Sequence, residues 1–125
     1  MKINEFIKNN LKVTVLNDDP LMRHMMTSTR LPHIVCTDGF TMSVQVGYSL
    51  YCKPKKVAKR YSEVEVGYPS KPEPLLKKYV ESFYNEPDYT DSIYPYVPVK
   101  VVDKVLKNHG GIDLTETLRR SHDRL

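Results

Sequence analysis

Residues 33–46 read His33-Ile34-Val35-Cys36-Thr37-Asp38-Gly39-Phe40-Thr41-Met42-Ser43-Val44-Gln45-Val46, two β-rich runs on either side of an Asp-Gly pair. Asp-Gly between such runs is a strong signal for a two-residue hairpin turn, because both turn positions favour positive φ. Phe40, Met42, Val44 and Val46 alternate with Thr41, Ser43 and Gln45, so one face of the hairpin is apolar and the other polar. A two-residue turn pairs Thr37 with Phe40 and sets Val35 beside Met42 on the core face. Ile34 and Cys36 then fall on the more polar face with Thr41 and Ser43, where a helix or a second subunit would cover them.

Working toward the N-terminus, residues 3–10 read as a short helix with Ile3, Phe6 and Ile7 on one face. Residues 12–16 (Lys-Val-Thr-Val-Leu) are strand-like. Asp19-Pro20 is a helix start, and Leu21, Met22, Met25 and Met26 follow at helical spacing, so a methionine-rich helix carrying Arg23 and Arg30 is expected up to Pro32. Toward the C-terminus a further strand is expected from Gly47 to Cys52, followed by a basic connector from Lys53 to Arg60. Residues 61–68 alternate again, with Val64, Val66 and Tyr68 inward and Glu63 and Glu65 outward. Leu75, Leu76, Tyr79, Val80 and Phe83 have the spacing of an amphipathic helix. An acidic loop covers residues 84–91. Pro98 opens a helix through Val102, Val105 and Leu106 that Gly110-Gly111 closes. Asp113 and Glu116 stand at capping-box spacing, which starts a last helix to about Asp123. A β-rich middle with helical ends makes an α+β chain with a mostly antiparallel sheet.

The length of 125 residues fits one domain spanning 1–125, long enough to fold without staples. No apolar run approaches the roughly 18 residues of a membrane span. The N-terminal residues lack an apolar signal-peptide core. Two cysteines, Cys36 and Cys52, sit in strand-like text without a CxxC partner or a histidine pair, so buried free thiols in a reducing, cytoplasmic compartment are expected, and no zinc site. The formal charge of +4 permits anionic partners without demanding them, and it argues against a nucleic-acid-binding regulator. Nine tyrosines and no tryptophan favour half-buried sites and binding surfaces.

No nucleophile elbow, P-loop, GxGxxG or HExxH is present. His24, His33, His109 and His122 are scattered along the sequence. Glu63 and Glu65 share an outer strand face. No catalytic constellation is therefore expected, and neither is a cofactor. The cations fall in clusters. Lys53, Lys55, Lys56, Lys59 and Arg60 lie between Tyr51 and Tyr61, a mixture suited to phosphate and base contacts. Arg119, Arg120 and Arg124 form a second group, which could equally compensate a helix dipole.

Asp38 to Gln45, Tyr51-Cys52 with Pro54, Glu63 to Ser70, and Tyr96 to Val102 running on to residues 107–112 together resemble a family of small phage and prophage proteins. That family is similar to the phage Thoeris anti-defence proteins, which act as signal sponges. The resemblance covers roughly residues 33–112. It implies a protein that captures a cyclic ADP-ribose isomer, or a cyclic oligonucleotide, without cleaving it. It also implies a homo-oligomer in the host cytoplasm. In the family an arginine often follows the Tyr-Cys-x-Pro segment. Lys55 and Lys56 stand there in this chain, keeping the charge but losing the bidentate fork. The family's ligand residues do not transfer one by one. The candidate ligand-binding residues are therefore the cations Arg23, Arg30, Lys56, Arg119 and Arg120, with Tyr51 and Phe83 for stacking. The reading from another class is a phage inhibitor that binds a host defence protein or nuclease directly, for which Glu81, Glu86, Asp88 and Asp91 supply an acidic surface.

Overall fold

In the computed structural model, described for residues 1–17, 19–23, 26–82 and 86–123, a four-stranded antiparallel sheet carries three helices and a separate two-stranded arm. The class is α+β, as the sequence indicates. Helix α1 (Ile3–Asn10) leads into β1 (Lys12–Val15), which pairs antiparallel with β2 (Thr27–Arg30). The sheet then runs β3 (Ile34–Val35), β4 (Thr41–Gln45), β5 (Glu63–Gly67) and β6 (Ile93–Pro98) in that spatial order. Helices α2 (Val99–Asn108) and α3 (Leu114–Asp123) follow.

The hairpin forms, but one residue out of the expected register. Ile34 pairs with Met42 and Val35 with Thr41, and the Cys36 N–H donates to the Phe40 carbonyl at 2.8 Å. The turn therefore holds three residues, Thr37, Asp38 and Gly39, with Gly39 at φ +94°. Asp38 drives this choice by accepting the Phe40 N–H on its own carboxylate at 2.9 Å. A one-residue slip exchanges faces. Ile34 and Cys36 join Phe40 and Met42 in the core, and Val35 turns to the second face. Helix α3 covers that face, with the Thr117 hydroxyl accepting the Val35 N–H at 2.9 Å.

The chain after α2 fixes this register from the far side. Gly110 and Gly111, at φ +84° and +85°, end α2 by donating to the Lys107 and Leu106 carbonyls. The chain then runs back along β3. Asp38 N–H donates to the His109 carbonyl and Thr37 N–H to the Gly111 carbonyl. Cys36 bridges Ile112, and Asp113 N–H donates to the Val35 carbonyl. Asp113 then caps α3 by accepting the Glu116 N–H at 3.0 Å.

Four other expectations are corrected. No methionine helix forms among the described residues of 19–30. A single turn anchored on the Asp19 carbonyl and carboxylate precedes β2, so Arg30 sits on a strand. Thr27, Ser28 and Thr29 favour that extended form, and β1 offers them a ladder. Gly47 to Cys52 is a turn and not a strand. Gly47, at φ +152°, leaves room for Thr29, whose hydroxyl would stand 2.4 Å from a Cβ there. Leu75 to Val80 makes only a short 3₁₀ turn, Lys77–Tyr79, because Pro72 and Pro74 hold the approach extended, although Leu76 is fully buried as an apolar anchor. Phe83 lies outside the described residues. Tyr68 faces outward, half exposed at φ +51°.

Strand β6 is not apparent in the sequence, because Pro95 and Pro98 argue against a strand. It survives at the sheet edge with a bulge between its Val64 and Val66 pairings, and Tyr96 takes φ +52°.

The core holds Ile3, Phe6, Ile34, Phe40, Met42, Val44, Val64, Val66, Leu76, Tyr94 and Val102. Because Phe40 is also stacked on His109, truncating it removes both burial and a ring contact. Phe40→Ala is expected to cost about 3–5 kcal/mol in urea unfolding. A loss below about 1 kcal/mol would show that the turn does not seat Phe40 in the core.

Candidate functional site

The second face of the hairpin, where Val35 and Thr41 point, meets the last turn of α3 and the segment leaving β2. A pocket of about 110 Å³ lies there, lined by Arg30, Leu31, Pro32, His33, Val35, Thr41, Arg120 and Ser121. A second hollow of about 160 Å³ adjoins it, sharing Arg30, Pro32 and Ser121 and adding Asn10 and Lys12. Among the described residues, no carboxylate lines either of them.

Each wall has a structural cause. Gln45 reaches from β4 to clasp the Leu31 backbone, accepting its N–H at 3.0 Å and donating to its carbonyl at 3.1 Å. The Thr29 hydroxyl donates to the Val46 carbonyl. These ties hold the Arg30-Leu31-Pro32 segment against the sheet. On the other wall, Glu116 accepts Arg120 Nε at 2.8 Å, which fixes one edge of the guanidinium of a residue that lines the pocket. Two arginines from distant points of the chain thus line one concavity, and arginine is the donor that binds phosphate or carboxylate oxygens.

Of the candidates read from the sequence, the fold brings Arg30 and Arg120 together. Arg119 points elsewhere and is consumed by ion pairs with Glu116 at 2.6 Å and Asp123 at 2.7 Å. Arg23 lies in the β1–β2 turn, and its carbonyl accepts the Thr27 hydroxyl. Lys56 has an exposed side chain and lines neither hollow, while its carbonyl accepts the Tyr61 hydroxyl at 2.7 Å. Tyr51 forms a separate cluster with Tyr96, ring centroids 5.7 Å apart. The Tyr96 N–H donates to the Tyr51 carbonyl, so the β6 bulge is what delivers this ring. Lys55 lies 5.3 Å from the Tyr51 centroid and 5.8 Å from that of Tyr96. A base stacking on Tyr51 would therefore compete with the protein's own lysine. Beside it, burial raises the Glu65 carboxyl above the ordinary range, while the hydrogen bond from Tyr51 N–H opposes this.

Sequence reading missed His33, Thr41 and Ser121. Nothing in their spacing marks them, since the register slip and the α3 docking create their neighbourhood. It also missed the arrangement around His109. That ring stacks on Phe40 at 4.0 Å with planes 10° apart. Its Nδ1 lies 2.6 Å from Asp38 and its Nε2 3.6 Å from the buried Glu73. Both ring nitrogens face carboxylates, so neither is placed to take a proton from a hydroxyl nucleophile. The Phe40 N–H, and then the His109 ring, hold the Asp38 carboxyl below the usual range.

Cys36 and Cys52 are buried free thiols. Burial, with Asp38 second, pushes Cys36 up to about 11, and burial also raises Cys52, so neither has thiolate character. Among the described residues no cluster of three or more His, Cys, Asp or Glu side chains could hold a metal ion. No helix among them is long and apolar enough to cross a membrane.

Comparison with protein-family models, curated proteins and solved structures finds no match to the chain.

Glu116 is the residue that sets Arg120, and its own ionisation reports that grip. Hydrogen bonds from Arg119 and then Arg120 bring its carboxyl down from 4.5 to about 2. The stabilisation is complete above the ordinary value of 4.5 and is lost as the pH falls toward 2. A side-chain NMR titration is expected to give a midpoint near 2. An ordinary glutamate midpoint would mean that the arginines do not hold Glu116 in solution.

Proposed function

We propose that the protein is a non-catalytic binder that captures an anionic nucleotide signal, a cyclic ADP-ribose isomer or a cyclic oligonucleotide, and holds it intact. The observation that carries this reading is that Arg30 and Arg120, with His33 and Thr41, line one pocket that no carboxylate lines among the described residues. Charge-assisted bonds to phosphate are the strong polar contacts such a pocket can make. The resemblance to phage signal sponges supports the same ligand class. So does the chemistry elsewhere in the fold: His109 has both ring nitrogens turned to carboxylates, and both thiols are held protonated.

Size supports an assembly. The hollows of about 110 and 160 Å³ each fall short of the roughly 300 Å³ at which drug-sized ligand sites begin. They accommodate the phosphate part of a nucleotide and leave the base to be covered from outside. The β1–β2 arm beside them exposes Val13, Val15, Leu16, Leu21 and Met22. A second copy seated against that arm would complete the site and bury apolar surface, which makes a homo-oligomer part of the proposal. The same exposed arm, with Leu16 at 66% and Leu21 at 82%, is the feature that favours the second reading, an inhibitor docking directly on a host defence protein.

Calorimetry against cyclic ADP-ribose isomers and cyclic oligonucleotides is expected to show submicromolar binding to at least one, with intact ligand released on heating. Arg30→Ala and Arg120→Ala should each lose about 1.5–3 kcal/mol, roughly ten- to a hundredfold in affinity. Arg119→Ala should change affinity much less. Absence of binding across the panel would favour the inhibitor reading, and release of a cleaved product would make the protein an enzyme.

A further inference from the structure

The chain's modest net charge hides an uneven distribution. Lys2, Lys8, Lys59, Arg60, Lys104 and Lys107 are all exposed, and all line two grooves that meet at Lys2. One groove, of about 770 Å³, runs between the N-terminus and the C-terminal half of α2. The other, of about 480 Å³, runs between α1 and the end of the basic loop. The fold assembles this face from three separate segments. Asp103 accepts the Ile3 N–H at 2.8 Å and ties α1 to α2. The Asn4 side chain exchanges two hydrogen bonds with the Tyr61 backbone, at 2.9 and 3.0 Å, and so brings Lys59 and Arg60 against α1.

Two features separate this face from ordinary solvated lysines. Three cations elsewhere are held by carboxylates: Arg119 and Arg120 by Glu116, and Lys53 by Glu63. Among the described residues, none of the six cations on this face forms a salt bridge. Among the described residues, the carboxylates lining the grooves are Glu5 and Asp103, and Asp103 accepts the Ile3 N–H. The second feature is spacing. Lys100, Lys104 and Lys107 recur at i, i+4 and i+7 on α2, about 6 and about 10 Å along the helix axis. A duplex strand presents a phosphate about every 3.4 Å of axis, so Lys104 and Lys107 stand about two and about three phosphate steps from Lys100.

We propose that this face is a docking surface for the phosphate backbone of a nucleic-acid duplex. Among the described residues, no aromatic side chain lines either groove to supply the stacking platform that single strands use. Recognition rests on phosphate charge and is independent of sequence. The face is separate from the Arg30–Arg120 pocket and does not depend on the nucleotide reading.

The test is fluorescence anisotropy with a short random-sequence DNA duplex and the matching RNA duplex, at about 50 and about 200 mM salt. Binding is expected at the lower salt, with a log–log salt slope of about −3 to −5, as four or five displaced counterions require. Lys104→Glu combined with Lys107→Glu should weaken binding about tenfold or more while leaving thermal unfolding unchanged. Lys77→Glu with Lys78→Glu, on the 3₁₀ turn, should leave binding within about twofold. No binding at the lower salt would overturn the proposal, as would equal losses in both double variants. Displacement of the duplex by poly-glutamate as readily as by unlabelled duplex would also overturn it and reassign the face to acidic proteins. Arg120→Ala should retain duplex binding whatever it does to nucleotide binding.

Discussion

Asp38 holds three partners at once. One carboxylate oxygen accepts the Phe40 N–H, the other meets the His109 ring, and its own N–H donates to the His109 carbonyl. The first contact closes a three-residue turn where the sequence favours a two-residue one. The other two fasten that turn to the end of α2. Register, core membership and helix docking all follow from this residue, because a single-residue slip would turn Ile34 and Cys36 out of the core. The clamp also explains why Gly110 and Gly111 are needed. Both take positive φ, and a Cβ on Gly110 would stand 3.1 Å from that of Thr37. The chain can only reverse beside the turn if nothing projects there.

From that clamp the distance to the candidate site is short in structure and long in sequence. Once the 109–113 segment lies along β3, Asp113 is in place to cap α3, and α3 must cross the second hairpin face. Val35 is then buried beneath Thr117, and the last turn of α3 arrives beside the exit of β2. Arg30 and Arg120 line one pocket for this reason. Their encounter is a property of the docking geometry, and no local pattern announces it.

The periodic parts of the chain were legible. Ile3, Phe6 and Ile7, the Phe40-to-Val46 alternation, Val64 and Val66, and the Gly-Gly stop of α2 all read correctly, because burial imposes a repeat on them. Failures occurred where local propensity met a tertiary partner. The Asp19-Pro20 start promises a helix, but strand β1 offers Thr27 to Arg30 a ladder. Leu75 to Val80 has helical spacing, but the preceding prolines and one anchoring residue, Leu76, leave a single turn. Pro95 and Pro98 disguise β6, which tolerates them as an edge strand with a bulge. At the site, the cation clusters were visible as composition. Which member of each cluster is free to act was not, since Glu116 and Asp123 sort Arg119 from Arg120 only in three dimensions.

That sorting carries a general point about charge in this molecule. A carboxylate beside an arginine can silence it or aim it, depending on which nitrogens it takes. Glu116 and Asp123 occupy Arg119 from both ends, so it contributes to α3 and to nothing beyond. Glu116 takes Nε of Arg120, so the same acid holds one edge of that guanidinium. On the α1–α2 face the logic runs the other way. Asp103 is spent on the Ile3 N–H, and the surrounding lysines are left without acids. Net charge, the one electrostatic quantity the composition supplies, averages over these arrangements. The fold separates two arginines that line a small pocket from a broad basic surface. Those two arrangements suit different anions: a small phosphate that needs direction, and a polyanion that needs only density of charge.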